Sequence, residues 1–171
     1  TTALASDGFK FYGDFFIHKN IPKTAFKLTG IGLKDHEYFD EMVASEEINF
    51  LVLASPGGRV FAGLQIAERV HSNNIATYVP GKISGNNLSC ASACSFIFFA
   101  GRKRYAKGKI GLHRFATDSA YFQDVLNRSQ PEEVIEQFIL RQGGDQMLTT
   151  KIIMALKAYG MPNNLIEKTF Y

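Results

Sequence analysis

The sequence predicts an α/β fold, and two patterns predict it. Apolar runs of strand length alternate with stretches whose apolar residues recur at three- and four-residue steps, and such strand–helix–strand alternation builds parallel sheets with right-handed crossovers. The run Asn49-Phe50-Leu51-Val52-Leu53-Ala54 is apolar almost throughout, as in a strand buried on both faces of a sheet. A length of 171 residues fits one domain spanning residues 1–171, and 15 phenylalanines give ample material for its core.

The aromatic segment Phe9 to Ile17 reads as one or two strands, and Phe26-Lys27-Leu28-Thr29-Gly30 as another with a glycine exit. Asp35 to Ala44 reads as a helix that Asp35 can cap, with Tyr38, Phe39, Met42 and Val43 on its apolar face. After the Asn49 to Ala54 strand, Gly57-Gly58 makes a turn, and a helix follows on Val60, Leu64, Ala67 and Val70. Asn73-Asn74 breaks that helix, and Ile75 to Val79 starts the next strand. Gly81 to Ser89 reads as a polar loop. Ala93 to Ala100 is apolar on every side and reads as a buried helix. Lys103 to Ala106 and Ile110 to His113 read as short strands. The remainder is largely helical. Pro131 starts a helix with Glu132, Glu133 and Glu136 at its positive end, and Gly143-Gly144 ends it. Met147 to Tyr159 forms another, closed by Gly160, and Pro162 opens a last one through Lys168.

Composition narrows the class. Apolar residues make up 46% and charged residues 20%, ordinary values for a globular protein, and no apolar stretch approaches the ~18 residues that cross a bilayer. The net charge of +3 is mild. Arg102, Lys103, Arg104, Lys107, Lys109 and Arg114 cluster, as a solvated loop or as an attraction for acidic partners or a membrane surface. No recognised nucleic-acid motif accompanies them, so nucleic acid is not an expected partner. The chain begins at Thr1 without a methionine, and Ala3-Leu4-Ala5 is similar to the small-residue end of a secretory signal. The expectation is work in the periplasm or otherwise outside the cytoplasm; a cytoplasmic location is the alternative, since two cysteines do not settle the compartment.

Three elements carry chemistry. Ser92, in Cys90-Ala91-Ser92-Ala93-Cys94, precedes the buried helix, where a serine is either a simple cap or an exposed nucleophile awaiting a base. Gly57-Gly58 lies between a buried strand and a helix; it is either an ordinary turn or one that aims backbone N–H groups at a developing oxyanion. His113 ends an apolar strand, whereas His18, His36 and His71 lie in polar settings. A buried, hydrogen-bonded histidine is the bland alternative to a general base.

The stretches Ser55-Pro56-Gly57-Gly58-Arg59-Val60-Phe61-Ala62-Gly63, Ala91-Ser92-Ala93 before Ala100-Gly101, and Arg104-Tyr105-Ala106 before Ile110-Gly111-Leu112-His113 together resemble the Clp protease proteolytic subunit and its relatives. Order and spacing agree from about Ala25 to Lys168, and the cysteines around the serine are similar to those of predicted periplasmic Clp-like proteins. The resemblance implies a Clp/crotonase fold of repeated ββα units with a helical handle extension at about residues 118–158, through which copies associate as a homo-oligomer. It implies a serine peptidase with Ser92 as nucleophile and His113 as base, and with the N–H groups of Gly58 and Ala93 as oxyanion hole. A peptide or protein substrate would lie extended beside a strand edge near Val60 and Phe61. No cofactor and no metal is implied, and a partner ATPase cannot be named.

The chain departs from the family where the triad aspartate is expected, at Thr169. Asp118 and Asp124 are candidate replacements, and a Ser–His dyad steered by the Thr169 hydroxyl or a backbone carbonyl is equally consistent. The Gly81 to Ser89 loop is longer than in the family and is either a lid or an obstruction. Cys90 and Cys94 admit three readings: small buried hydrophobes, a disulfide bracing the nucleophile turn, or a nucleophile among them. Two further functions compete: a catalytically degenerate scaffold or binding protein, motivated by Thr169, and a crotonase-like enzyme acting on acyl thioesters, for which no coenzyme A signature is evident.

Overall fold

The computed structural model describes residues 7–112, 127 and 144–170. The chain divides into two compact units, Thr1–Gly111 and Leu112–Tyr171.

The first unit holds β1 (Phe9–Tyr12), β2 (Phe15–His18), β3 (Ile21–Lys27), α1 (Asp35–Ser45), β4 (Phe50–Leu53), α2 (Val60–Ser72), β5 (Ala76–Val79), β6 (Lys82–Ile83), β7 (Asn86–Asn87), β8 (Ser89–Ala91), α3 (Ala93–Phe99), β9 (Arg104–Ala106) and β10 (Lys109–Gly111). A six-stranded sheet runs in the order β1-β2-β3-β4-β5-β9. β1 to β3 form an antiparallel meander, and β3, β4, β5 and β9 are parallel. After each parallel strand the chain enters a smaller second layer. There Ile31 bridges Gly58, Ser55 bridges Cys90, and β8 pairs with β10. Among the described residues, α1, α2 and α3 each follow one of these second-layer segments, which makes the ββα repeat.

Burial explains the arrangement. β4 presents Leu51 and Leu53, both with no exposed surface, and burying each stabilises the fold by about 2 kcal/mol. Phe15 of β2 packs on Phe39 of α1 with ring centroids 5.4 Å apart. The opposite face carries Phe11, Phe16, Phe26, Val52, Tyr78 and Tyr105 in one register row across all six strands. Phe16 and Phe26 stack there, while Phe11 and Tyr105 at the two ends are exposed. α3 is buried along nearly its whole length, as its unbroken apolar sequence predicts. The buried Thr77 hydroxyl of β5 donates to the Phe98 carbonyl at 2.7 Å and ties this helix to the sheet.

Three local expectations change. The strand placed at Phe26–Gly30 starts at Ile21 and ends at Lys27, because His18 of β2 pairs with Ile21 across a register shift that leaves Pro22, Lys23 and Thr24 without a β2 partner. Pro22, and Lys23 at φ 58°, hide that segment from a period-two pattern. Asp35 does not cap α1 from outside; Lys34 is the N-cap, and Asp35 turns inward as the first helical residue. Gly81 to Ser89 is not loop throughout, since β6 and β7 form a hairpin about Ser84 and Gly85, at φ 49° and 81°. Positive φ at both central residues is the two-residue turn that suits the strand twist.

The second unit contains α4 (Gly144–Ala158) and α5 (Asn163–Phe170). The helix expected from Met147 is already present at Gly144, and the helix expected to end at Gly143-Gly144 lies outside the described residues. Ile152, Ile153 and Leu156 of α4 are buried, as are Ile166 and Thr169 of α5, three residues apart on one helical face. Gly160, at φ 77°, stops α4, and the Pro162 carbonyl accepts the N–H groups of Leu165 and Ile166 as α5 begins. Of the expected handle at about 118–158, the stretch before Gly144 lies outside the described residues apart from Asn127.

Candidate active site

Ser92 sits between β8 and α3 at φ 54° and ψ −124°, a region that side-chain-bearing residues seldom occupy. Holding a serine there costs on the order of 1–3 kcal/mol and needs surroundings that over-determine it. Those surroundings are visible. The Ser92 N–H donates to the Gly111 carbonyl at 3.0 Å, and the Ala91 N–H donates to the Ser55 carbonyl at 3.0 Å. The Ser95 hydroxyl and N–H both donate to the Ser92 carbonyl, at 2.6 and 2.9 Å. Ser92 is half-buried and makes no side-chain capping bond to α3. The simple-cap reading therefore fails, and among the described residues no hydrogen bond engages its hydroxyl.

The glycine turn lies directly against this elbow. Gly57 is at φ 96° and Gly58 at φ 145°. A methyl group on Gly57 would stand 2.7 Å from the Ser92 Cβ and 3.1 Å from the Ala93 nitrogen, so only glycine permits this approach. Gly58 abuts the Ile31 backbone, where an added Cβ would meet the Ile31 carbonyl and lie 2.9 Å from its nitrogen. Ile31 holds the turn from both sides: its N–H donates to the Gly57 carbonyl at 2.7 Å, and its carbonyl accepts from the Arg59 N–H at 2.9 Å. The Gly57 N–H is taken by the buried Ser55 hydroxyl at 3.1 Å. Among the described residues, neither the Gly58 N–H nor the Ala93 N–H has an acceptor. Among the described residues, a backbone donor without an acceptor thus follows Ser92 on one turn and follows Gly57, which packs on Ser92, on the other.

A buried ion pair fixes the segment that carries Ile31. Lys27, with no exposed surface, donates to the Asp35 carboxylate at 2.7 Å and to the Thr29 hydroxyl at 2.9 Å. The same Asp35 oxygen accepts the Gly32 N–H at 2.7 Å. The Asp14 carboxylate lies 3.7 Å away, and the Phe15 ring lies under the ammonium at 5.2 Å. Sequence reading missed this group. Its signal was a lysine two residues after Ala25, on the face of β3 that alternation sends to the core.

Cys90 and Cys94 form a disulfide with Cα atoms 5.3 Å apart. That excludes either as a free thiol nucleophile. The direction problem of a four-residue spacing is met because Cys90 lies in β8 and only Cys94 is helical. Val60 and Phe61 form the first turn of α2, so the extended edge expected beside them ends at Arg59. Phe61 is 56% exposed and meets His36 edge-on at 5.9 Å. Thr169 is buried on α5 of the second unit, and its hydroxyl donates to the Leu165 carbonyl at 3.3 Å. His113, Asp118 and Asp124 lie outside the described residues. The structure thus brings Ser92, Gly57, Gly58 and Ala93 together in the first unit.

This architecture belongs to a known class: it is the mixed α/β fold of Clp-type proteases. Three solved structures carry the comparison. A serine-to-alanine mutant of the 1510-N membrane-bound stomatin-specific protease is similar over 90% of this chain and 71% of its own, at TM-score 0.53 and 21% identity. The ClpP protease catalytic domain from Plasmodium falciparum matches 86% of this chain and 72% of its own, at TM-score 0.53 and 19% identity. A ClpP1 mutant from Listeria monocytogenes matches 87% and 80%, at TM-score 0.51 and 17% identity. No family model and no curated protein matches the sequence.

Proposed function

We propose that this chain is a Clp-like serine peptidase. In this reading the Ser92 hydroxyl attacks the carbonyl carbon of a peptide bond while the His113 imidazole takes its proton. The N–H groups of Gly58 and Ala93 hold the oxyanion, and the imidazole then returns the proton to the leaving amine. Water hydrolyses the acyl-enzyme by the same route.

The observation that carries this reading is the backbone of Ser92. A serine held at φ 54° without serving as a cap has its side chain retained for another purpose, and among the described residues the N–H groups of the neighbouring Ala93 and of Gly58, next to the packed Gly57, have no acceptor. The strand leading to His113 supports the assignment of the base, since Gly111, whose carbonyl accepts the Ser92 N–H, precedes His113 by two residues. The third member is drawn from Asp118, Asp124 and Thr169. With its proton given to Leu165, the Thr169 oxygen is an acceptor but carries no charge, so it would steady an imidazolium less than a carboxylate does. The disulfide supports work outside the cytoplasm, where such bonds persist. Among the described residues no helix is long and apolar enough to cross a membrane. Association through the handle helices completes the proposal.

A fluorophosphonate probe tests it. Labelling of the wild-type protein, abolished in Ser92→Ala and strongly slowed in His113→Ala, is the expected result; an intact assembly that does not label overturns it. Thr169 favours one second reading, a scaffold that has lost catalysis. That reading expects Ser92→Ala to retain full biological activity.

A further inference from the structure

We propose that the Cys90–Cys94 disulfide is a positioning device for Ser92: it holds the elbow in its left-handed conformation, and opening it lowers the reactivity of the serine hydroxyl. The proposal rests on the reading of Ser92 as nucleophile for its reactivity, though not for its conformation. The chain has two cysteines, and they stand two residues before and two residues after Ser92. Their bond joins the strand entering the turn to the helix leaving it. Five residues whose ends could separate by about 14 Å are thereby closed to a Cα distance of 5.3 Å. The tether excludes extended conformers of Ala91, Ser92 and Ala93; a helical turn at negative φ would meet the same distance, but Cys90 is held in β8 by its pairing with Ile110 of β10, which removes that alternative. The remaining ties are hydrogen bonds from Ser92, Ala91 and Ser95, each of modest net strength. The bond also holds Ser92 and the Ala93 donor against the glycine turn, because Gly57 packs on the Ser92 Cβ and the Ala93 nitrogen.

Opening the bridge is a two-electron reduction. A dithiol reductant attacks one sulfur as thiolate, passes through a mixed disulfide and leaves as a cyclic disulfide, while Cys90 and Cys94 become thiols. Both cysteines are fully buried, so reduction of the folded protein is slow, and Cys90→Ala/Cys94→Ala supplies the open state directly.

Two measurements on the full chain decide the proposal. The three-bond amide–Hα coupling of Ser92, which reports the sign of φ, is compared between the wild type, the dithiol-reduced protein and the double variant. Fluorophosphonate labelling rates are compared across the same three samples. Expected are a changed coupling in both open forms, unchanged amide signals in β4 and α2, and labelling slowed roughly tenfold, the factor that corresponds to about 1.4 kcal/mol in the barrier. An unchanged coupling, or loss of the β4 and α2 signals along with it, overturns the proposal, since the bridge would then be idle or would support the whole unit. A changed coupling in a protein whose Ser92 never labels keeps the positioning role and removes the nucleophile.

Discussion

At the end of β4 the chain turns into α2 through Gly57 and Gly58, at φ 96° and 145°; at the end of β8 it turns into α3 through Ser92, at φ 54°. Both turns belong to ββα units, and both face the same point. The first meets its positive φ values with residues that tolerate them, and the second does so with one that does not. Their ties differ as well. The glycine turn is held at Ile31 by hydrogen bonds, and behind Ile31 by the Lys27–Asp35 ion pair. The serine turn is closed covalently by Cys90 and Cys94. The lesson is that glycine is used where only the backbone is needed. Where a serine occupies positive φ, a disulfide spans the turn.

Four substitutions break or sharpen that contrast. Lys27→Met leaves Asp35 buried with no cation, and is expected to cost 3–5 kcal/mol by chemical denaturation, roughly as for other broken buried pairs. Lys27→Met/Asp35→Leu should recover most of the loss, and failure to recover it would mean that the pair does more than satisfy itself. Gly57→Ala comes next. Its methyl group meets Ser92 and it sits at φ 96°, so a loss of roughly 2–3 kcal/mol is expected, together with lost probe labelling. Ser92→Gly should act in the opposite direction, gaining about 1 kcal/mol by relieving the backbone while abolishing labelling. Loss of stability in that variant would show that the serine side chain, not the backbone, holds the elbow.

The smallest effect lies away from both turns. The Lys10 ammonium at 2.7 Å, with help from the Tyr12 hydroxyl at 2.8 Å, holds the Glu46 carboxyl below its usual range. A carboxyl with a depressed folded-state pKa adds stability that is fully present above its unfolded value of about 4.3. That stability is lost as pH falls through the lower folded value. Glu46→Gln should therefore lower Tm by roughly 2 °C at pH 7, with the gap to wild type closing on acidification below pH ~4. A gap that persists in acid would show that the carboxylate charge is not its source.

Much of this was legible along the chain, because local patterns report local structure. The apolar run at β4, the three- and four-residue steps of α2 and the all-apolar α3 placed the alternation and hence the fold. Ser92, Gly57 and Gly58 stood out because they form one ordered series with His113 that resembles the Clp-like segments, although each motif alone has an ordinary reading. The Lys27–Asp35 pair was not legible, since its partners come from the end of β3 and the start of α1, and nothing in either segment announces the other. The start of β3 was hidden by Pro22 and Lys23, which lie in the register shift between the pairs His18–Ile21 and Ile17–Ala25. Nor did Cys90 and Cys94 choose among their three readings until one proved to lie in a strand.

By itself the sequence determined most of the strand and helix alternation, and it singled out Ser92, Gly57 and Gly58 as candidates. These follow from periodicity and residue type. Only the tertiary structure decided that Ser92 is held at positive φ rather than used as a cap, that Gly57 lies against it, and that a bond and an ion pair fix the two turns. Each of those facts is a contact between distant segments or a backbone angle imposed by one, and packing, not local preference, sets both.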